Sequence, residues 1–320
     1  MSTLLSAAVR DALVATVRGR VRFDEPLRRH LSFKVGGPAD AFVEPSDDAD
    51  LLAAATFAST HALPLVILGG GTNLVASDLG VRGLVLNLEV GFSEARVERD
   101  VFGPGEHRLV VGGGLGTFRL LKLCKTERLE GMEYLAGVPG TMGGAVRMNA
   151  GTFAGEIVTN CESVTRLMWQ PEVQLVTVPA AAMGFAYRHS NLGPRDIVVR
   201  AAFRVRTAAN DAFAERIDDI IRRRKATQPV ELPNAGSIFK NPPGDYAGRL
   251  IEAAGLKGTR RGGAEISPKH ANFIVNVGDA TAQDIVDLAE SVRAVVRAQF
   301  GVDLEWEVKR VGEWPEVHAS

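Results

Sequence analysis

The sequence predicts an α+β fold of more than one domain. Three observations carry that reading. Apolar runs of strand length repeatedly end in clusters of glycine. Helical and strand patterns follow one another without the regular βαβα alternation of a doubly wound sheet. Past a break in pattern near Ala208-Ala209-Asn210, the last part of the chain holds its own helix and strand. At 320 residues the chain is long enough for two or three buried cores.

Leu4, Leu5, Val9, Leu13 and Val17 give a modest helical pattern, so residues 1–30 are expected to form an N-terminal helical extension. Leu31 to Pro45 alternates and turns at Gly36-Gly37-Pro38, which reads as two strands. Ser46, followed by Asp47 and Asp48, is expected to cap a helix running to Leu63. Pro64–Leu68, Gly83–Leu88 and Leu109–Gly112 read as strands. Thr117–Leu129 reads as an amphipathic helix with Phe118, Leu121 and Leu129 on one side. Ser163–Trp169, Gln174–Val178 and Ile197–Arg206 are the next strands. Phe213, Ile217, Ile220 and Ile221 place a helix over Asp211–Thr227, which Gln228-Pro229 ends. A longer helix spans Thr281–Phe300. Thr281 and Asp284 resemble a capping box, and Ile285, Ala289, Val292, Val296 and Phe300 form its apolar stripe. Gly301 stops it. Leu304–Val311 alternates as a strand.

The most informative stretch is Tyr134–Gly151, YLAGVPGTMGGAVRMNAG. Glycine lets a ligand lie directly against main-chain N–H groups, and Pro139 stiffens the turn between Gly137 and Gly140. MGGAVRMN then reads as a short helix, and a glycine turn opening a helix suits an anion such as phosphate. A tight buried turn is the plainer reading, but so many glycines beside Asn149 favour a ligand. Val66–Leu74, VILGGGTNL, and Leu109–Gly116, LVVGGGLG, repeat the strand-into-glycine pattern. Three such loops suggest one extended ligand with an anionic centre, such as a dinucleotide. The Rossmann G-x-G-x-x-G and the P-loop G-x-x-x-x-G-K-[ST] are both absent. So are the nucleophile elbow and the zinc helix H-E-x-x-H.

Formal net charge is −1, which argues against a general nucleic-acid binder. The basic run Arg222–Lys225 suits the last turn of a helix. Cys124 and Cys161 are too few for a disulfide framework and lack metal-ligand spacing, so no metal is expected. There is no signal pattern and no apolar run of membrane-spanning length. A cytoplasmic protein without a membrane span is expected.

LGGGTNL and YLAGVPGTMGGAVRMNAG, with YRHS at Tyr187–Ser190, NAGSIFKNP at Asn234–Pro242 and LEWEV at Leu304–Val308, occur in order. Together they resemble the UDP-N-acetylenolpyruvoylglucosamine reductase family over roughly residues 30–312. The resemblance implies a vanillyl-alcohol-oxidase-type FAD-binding domain over 31–208, in two parts split near 83–90. A C-terminal α+β substrate domain would cover 209–320. FAD would be bound non-covalently, since no His or Cys lies in or beside the Gly69–Asn73 loop. The matching flavin contacts are Gly69, Gly70, Gly71, Thr72, Asn73 and Leu74 in one loop and Gly114 in another. Gly137, Val138, Pro139, Gly140, Thr141, Gly143, Gly144, Asn149, Ala150 and Gly151 supply the rest.

An Arg beside a Tyr in a loop suits bidentate capture of a carboxylate or phosphate. The resemblance makes Arg188 the residue that binds the enolpyruvyl carboxylate and Tyr187 a lining residue. Ser237 has no His–Asp arrangement of a conventional nucleophile. The resemblance makes it the general acid that protonates substrate carbon, while Lys240 and Asn241 would meet the nucleotide diphosphate and sugar. On the last strand, periodicity does not choose between Glu305 and Glu307; the resemblance selects Glu307 as the partner that polarises the carboxylate. His270 is a weaker substrate contact, about as readily a satisfied structural histidine. NADPH would be the hydride donor, the substrate UDP-N-acetylenolpyruvoylglucosamine, and the enzyme a monomer. The short link Met168-Trp169-Gln170-Pro171 contains no tyrosine, so the chain resembles the branch lacking an extra tyrosine loop. The rivals are an FAD-dependent alcohol or aldose oxidase of the same fold and a nucleotide-binding protein without catalysis.

Overall fold

The computed structural model describes residues 5–169 and 172–315, so Leu4, Gln170 and Pro171 lie outside the described residues. In chain order the elements begin with α1 (Ala7–Thr16), β1 (Arg20–Pro26), β2 (Pro38–Glu44), α2 (Asp48–Thr60), β3 (Leu65–Leu68), β4 (Leu74–Ala76) and β5 (Val81–Asn87). Then come β6 (Ala95–Gly103), β7 (Glu106–Gly112), α3 (Thr117–Thr126), β8 (Leu129–Glu130), α4 (Met142–Arg147), β9 (Gly151–Thr152) and β10 (Gly155–Glu156). β11 (Cys161–Met168), β12 (Gln174–Pro179), β13 (Ile197–Thr207), α5 (Ala212–Thr227) and α6 (Ala247–Ala253) follow. β14 (Arg260–Arg261), β15 (Ala264–Ile266), β16 (Ile274–Asn276), α7 (Ala282–Phe300) and β17 (Lys309–Val311) complete the chain.

The described residues divide into two units, each assembled from separated segments. One takes residues 1–22, 41–70 and 83–223; the other takes 23–40, 71–82 and 224–320. This departs from the contiguous segments 1–30, 31–208 and 209–320 expected above. The reason is core membership. Phe33, Val35 and Val75 are buried in one hydrophobic cluster with Ile238, Leu250, Ile285 and Val292. Chain order does not reveal such long-range packing.

The first unit is built on an antiparallel sheet ordered β12-β11-β13-β7-β6, with β8 also joined to β13. β13 is central because its run IVVRAAF is almost wholly apolar; Ala201 faces Val164 on one side and Val111 on the other. Leu120, Leu121, Cys124, Val146, Phe203, Phe213 and Ile217 share its core. A second sheet runs β1-β2-β5-β3, with β3 and β5 parallel. In the other unit, β14-β15-β16 form a small antiparallel sheet and β17 pairs with β4 in parallel. The Thr281–Asp284 capping box is formed, and Gly301 ends α7 at φ +68°. Asp78 adds two contacts at the same helix start, accepting from the N–H groups of Ala282 and Gln283 at 3.0 Å each.

Several local expectations change. Residues 1–30 hold the strand β1 as well as a helix. Residues 31–37 are irregular, because their backbone groups bond to loops: Ser32 N–H to Gly71 O and Gly37 N–H to Ser77 O. Asp47, not Ser46, caps α2. In α3, Phe118 is 54 % exposed while Leu120, Leu121 and Cys124 face the core, and Leu129 belongs to β8. Phe300 is 38 % exposed at the open end of α7. Only Lys309–Val311 of the last stretch forms a strand; Leu304 and Val308 are buried all the same.

Ser46 is instead one of the donors gathered by Asp50. The buried Asp50 carboxylate accepts from Arg18 N–H, Gly19 N–H and Ser46 N–H at 2.8 Å each and from the Ser46 hydroxyl at 3.1 Å. Burial alone would raise its pKa, but these donors outweigh burial and hold it below the ordinary 3.8. The stabilisation is therefore complete above that value and is lost as pH falls through the lower folded one. Asp50→Asn should lower the unfolding free energy by roughly 2–4 kcal/mol at neutral pH. Urea titrations should show the gap between variant and wild type closing in strong acid; a constant gap would place the effect outside the carboxylate's charge.

Candidate active site

In the first unit the glycine loops pack backbone against backbone. A Cβ on Gly69 would stand 2.4 Å from Thr141 Oγ1, and one on Gly70 would stand 2.9 Å from the Gly140 Cα. Gly137 and Gly140 take φ +73° and +102°, which the Val138-Pro139 turn between them requires. Thr117, fully buried, fastens that turn: its hydroxyl donates to Val138 O at 2.5 Å and its N–H to Gly140 O at 3.0 Å. Thr117 was not singled out in the sequence. A threonine directly after GLG, where the helix begins, was the available signal.

The third loop does something different from what its glycines suggest. Gly113 and Leu115 carbonyls accept from the N–H groups of Gly143 and Met142, at 2.7 and 2.8 Å. The first two N–H groups of the six-residue α4 are thus satisfied by protein. Gly114 is buried, and a Cβ there would meet Leu88 O. Gly116 and Gly144 are less confined: a Cβ there would make only ordinary van der Waals contact, with Gly140 O at 3.9 Å and Thr141 Oγ1 at 3.8 Å. These loops would offer a flavin dinucleotide a cradle of glycine main chain.

YRHS forms a tight turn in which Ala186 and His189 exchange backbone hydrogen bonds, with Tyr187 and Arg188 at the tip. Arg188 adopts φ +52°, a conformation uncommon for a side chain of this size and associated with functional sites. Its guanidinium lies 5.0 Å from the Tyr187 ring, 3.4 Å from Gly151 O and 3.9 Å from Glu156 Oε1. The arginine motif and the end of the main glycine stretch therefore meet. Asn149 joins them, donating to Ala186 O at 3.1 Å and to Glu156 Oε2 at 2.8 Å and accepting from Val158 N–H at 3.0 Å. The Asn149 side chain is thereby held by three protein partners. Ser190 donates to Arg147 O at 2.7 Å. Arg147, whose pKa burial pushes down, donates in turn to the carbonyls of Gly193 and Asp196. Ala150 and Gly151 lead into the β9–β10 hairpin, where a Cβ on Gly151 would collide with Gly155 O.

In the second unit three separate motifs converge. Gly71, at φ +63°, lies so close to His30 O that no Cβ fits. Beyond Thr72, Asn73 donates its side-chain amide to Glu307 O at 3.3 Å and accepts at its carbonyl from Lys309 N–H at 3.0 Å. Leu74 then opens β4. The Glu307 N–H donates to Ile238 O at 2.8 Å, and Lys240 N–H donates to Glu305 O at 2.8 Å. Ser237 and Glu307 thus sit on adjacent, hydrogen-bonded segments, with Phe239 against Trp306 between them. Gly236, at φ +79°, leaves open space beside Ser237.

Lys240 Nζ is paired with Glu305 Oε1 at 2.5 Å, whereas Asn241 Oδ1 accepts from Ala247 N–H at the start of α6. His270 is half-buried against Phe273, and its Nδ1 accepts from Asn272 N–H at 3.3 Å. Burial pushes its pKa below 6.5, the neutral form its acceptor role requires. That environment accords with a satisfied structural histidine.

Among the described residues no helix is long and apolar enough to cross a membrane. Nor is any group of three or more His, Cys, Asp or Glu placed to hold a metal.

Residues 39–174 match the profile of an FAD binding domain. Residues 228–311 match that of the UDP-N-acetylenolpyruvoylglucosamine reductase C-terminal domain. The fold and these matches define an FAD-dependent oxidoreductase of α+β architecture. UDP-N-acetylenolpyruvoylglucosamine reductase 2 of Symbiobacterium thermophilum is 43% identical, over 98% of each chain. The corresponding reductase of Geobacter metallireducens is 40% identical over 94% of this chain and 97% of its own. The crystal structure of the Thermus caldophilus reductase aligns with 34% identity and a TM-score of 0.76, covering 93% of this chain and 99% of that one. The chain belongs to the UDP-N-acetylenolpyruvoylglucosamine reductase family, and the oxidase alternative is not favoured.

The Gly70 contact is testable without turnover. Gly70→Ala places a methyl group against the Gly140 backbone and should prise the two loops apart. The purified variant should carry at most a small fraction of the wild-type flavin absorbance per polypeptide. Full flavin occupancy would mean that the contact does not shape the cradle.

Proposed function

We propose that this protein reduces the enolpyruvyl group of UDP-N-acetylenolpyruvoylglucosamine to the lactyl ether of UDP-N-acetylmuramate, a peptidoglycan precursor, with NADPH as electron source. FAD, when bound, supplies the hydride that the alkene carbon distal to the carboxylate accepts. Gly69 to Leu74 and Val138 to Thr141, with Gly116 and Gly144, would hold it through peptide groups.

Arg188 binds the substrate carboxylate through its planar fork, and Gly151 O and the Tyr187 ring help to hold the guanidinium in place. Glu307 helps polarise that carboxylate, which draws electron density from the alkene. Ser237 holds the proton that goes to the carbon beside the carboxylate. A serine hydroxyl is a weak acid, so it can act only on a strongly basic enolate carbon, and the neighbouring donors must stabilise that enolate. Tyr187 lines the pocket, Lys240 and Asn241 meet the diphosphate and sugar, and His270 is a weaker contact. Family membership supports the reaction. The observation that carries the pairing of acid and polarising carboxylate is the Glu307 N–H to Ile238 O hydrogen bond, one residue from Ser237. The reading extends to a cytoplasmic, monomeric enzyme. Two free cysteines, one buried and one half-buried, suit a reducing compartment.

An anaerobic titration tests the whole reading. The flavin band should bleach on NADPH and return on UDP-N-acetylenolpyruvoylglucosamine; a return only with oxygen would mean an oxidase. Ser237→Ala should leave reduction by NADPH nearly intact and slow the substrate half-reaction by about 10²–10⁴-fold. Equal slowing of both halves would remove the serine from its role. Glu307→Gln should depress turnover far more than Glu305→Gln, and the reverse order would assign the wrong carboxylate.

A further inference from the structure

We propose that Glu305 is a displaceable counter-ion for Lys240 that sets how tightly a nucleoside diphosphate is held. The proposal rests on the reading of Lys240 as a diphosphate contact.

The pair is lopsided. The Lys240 side chain is only 19 % exposed, whereas that of Glu305 is 70 % exposed, at an Nζ–Oε1 distance of 2.5 Å. Lys240 is also fixed along its backbone. Its N–H bonds to Glu305 O, and the preceding Phe239 packs edge-on against Trp306 at 5.7 Å. An ammonium group with so little access to water needs an anion beside it, and Glu305 supplies one. The carboxylate itself stands in water and can rotate away at small cost. A diphosphate brings more negative charge and more acceptor oxygens than a carboxylate. It therefore takes over Lys240 while Glu305 returns to solvent.

Glu305 thus competes with the ligand. The two glutamates of LEWE then have opposite effects, one assisting the reaction and one weakening the hold on its nucleotide. A weaker hold speeds release of a product that carries the same diphosphate.

The test is calorimetric titration of the FAD-loaded protein with UDP, and with uridine as a control lacking the diphosphate. Glu305→Gln should bind UDP about two- to fivefold more tightly, the range an exposed ion pair supports, with uridine unchanged. Lys240→Met should weaken UDP binding, and the double variant should match Lys240→Met alone. In steady-state kinetics the Glu305→Gln effect should fall mainly on KM. Equal or weaker UDP binding by Glu305→Gln, or an equal gain for uridine, overturns the proposal while leaving Lys240 in its subsite. No loss in Lys240→Met removes Lys240 from the diphosphate site, and the counter-ion role with it.

Discussion

Much of this structure depends on how closely two backbones can approach. Gly69 and Gly70 lie against Gly140 and Thr141 with no room for a side chain between them. A single methyl group at that contact would force main chain apart, and main chain in a tight turn has little room to give. Thr117 is buried under the turn because the turn must be held at that height. α4 begins where it does because Gly113 and Leu115 present carbonyls to its first N–H groups. The glycines hold the loops together as much as they admit a ligand.

That double duty explains what was legible in the sequence. The glycine stretches, YRHS, NAGSIFKNP and LEWEV could be read as parts of a site because each is an unusual run of residue types. The long helices were legible as well: Thr281, Asp284 and Gly301 carry local start and stop signals that tertiary packing has no reason to override. Gly114 and Gly116 could not be ranked, since both are glycines in one run and only packing shows which is walled in by Leu88 O. Asn149 stands among the expected flavin contacts through the resemblance and its place beside the glycines. Its committed hydrogen bonds come from Glu156, Ala186 and Val158, and no local pattern announces them. β1 and β6 were missed because strands of mixed polarity, half-exposed along their length, lack alternation.

The chemistry proposed for the second unit depends on an equally plain device. A serine is an unpromising acid and a glutamate an ordinary base; what makes them useful is being held in register by peptide groups. The segment around Ser237 and that around Glu307 are joined by backbone hydrogen bonds, so thermal motion moves them together. Asn73 ties the same glutamate to the end of a glycine loop. Positioning of this kind survives side-chain mutation, which is why substitutions at Ser237 or Glu307 can be read as chemical effects with little disturbance of the fold.

The discontinuous make-up of the two units has a consequence during synthesis. The chain leaves the ribosome from its N-terminus, and Phe33, Val35 and Val75 emerge long before α6 and α7, the helices that bury them. The first unit has all its segments by residue 223, while the second has only its two early pieces. Those apolar residues must wait, exposed to chaperones or to neighbouring chains, until the last hundred residues are translated. A ribosome that stalls late, or a frameshift near the 3′ end of the message, therefore leaves a nearly complete first unit attached to unsheltered hydrophobic segments, a species that quality control can recognise and clear.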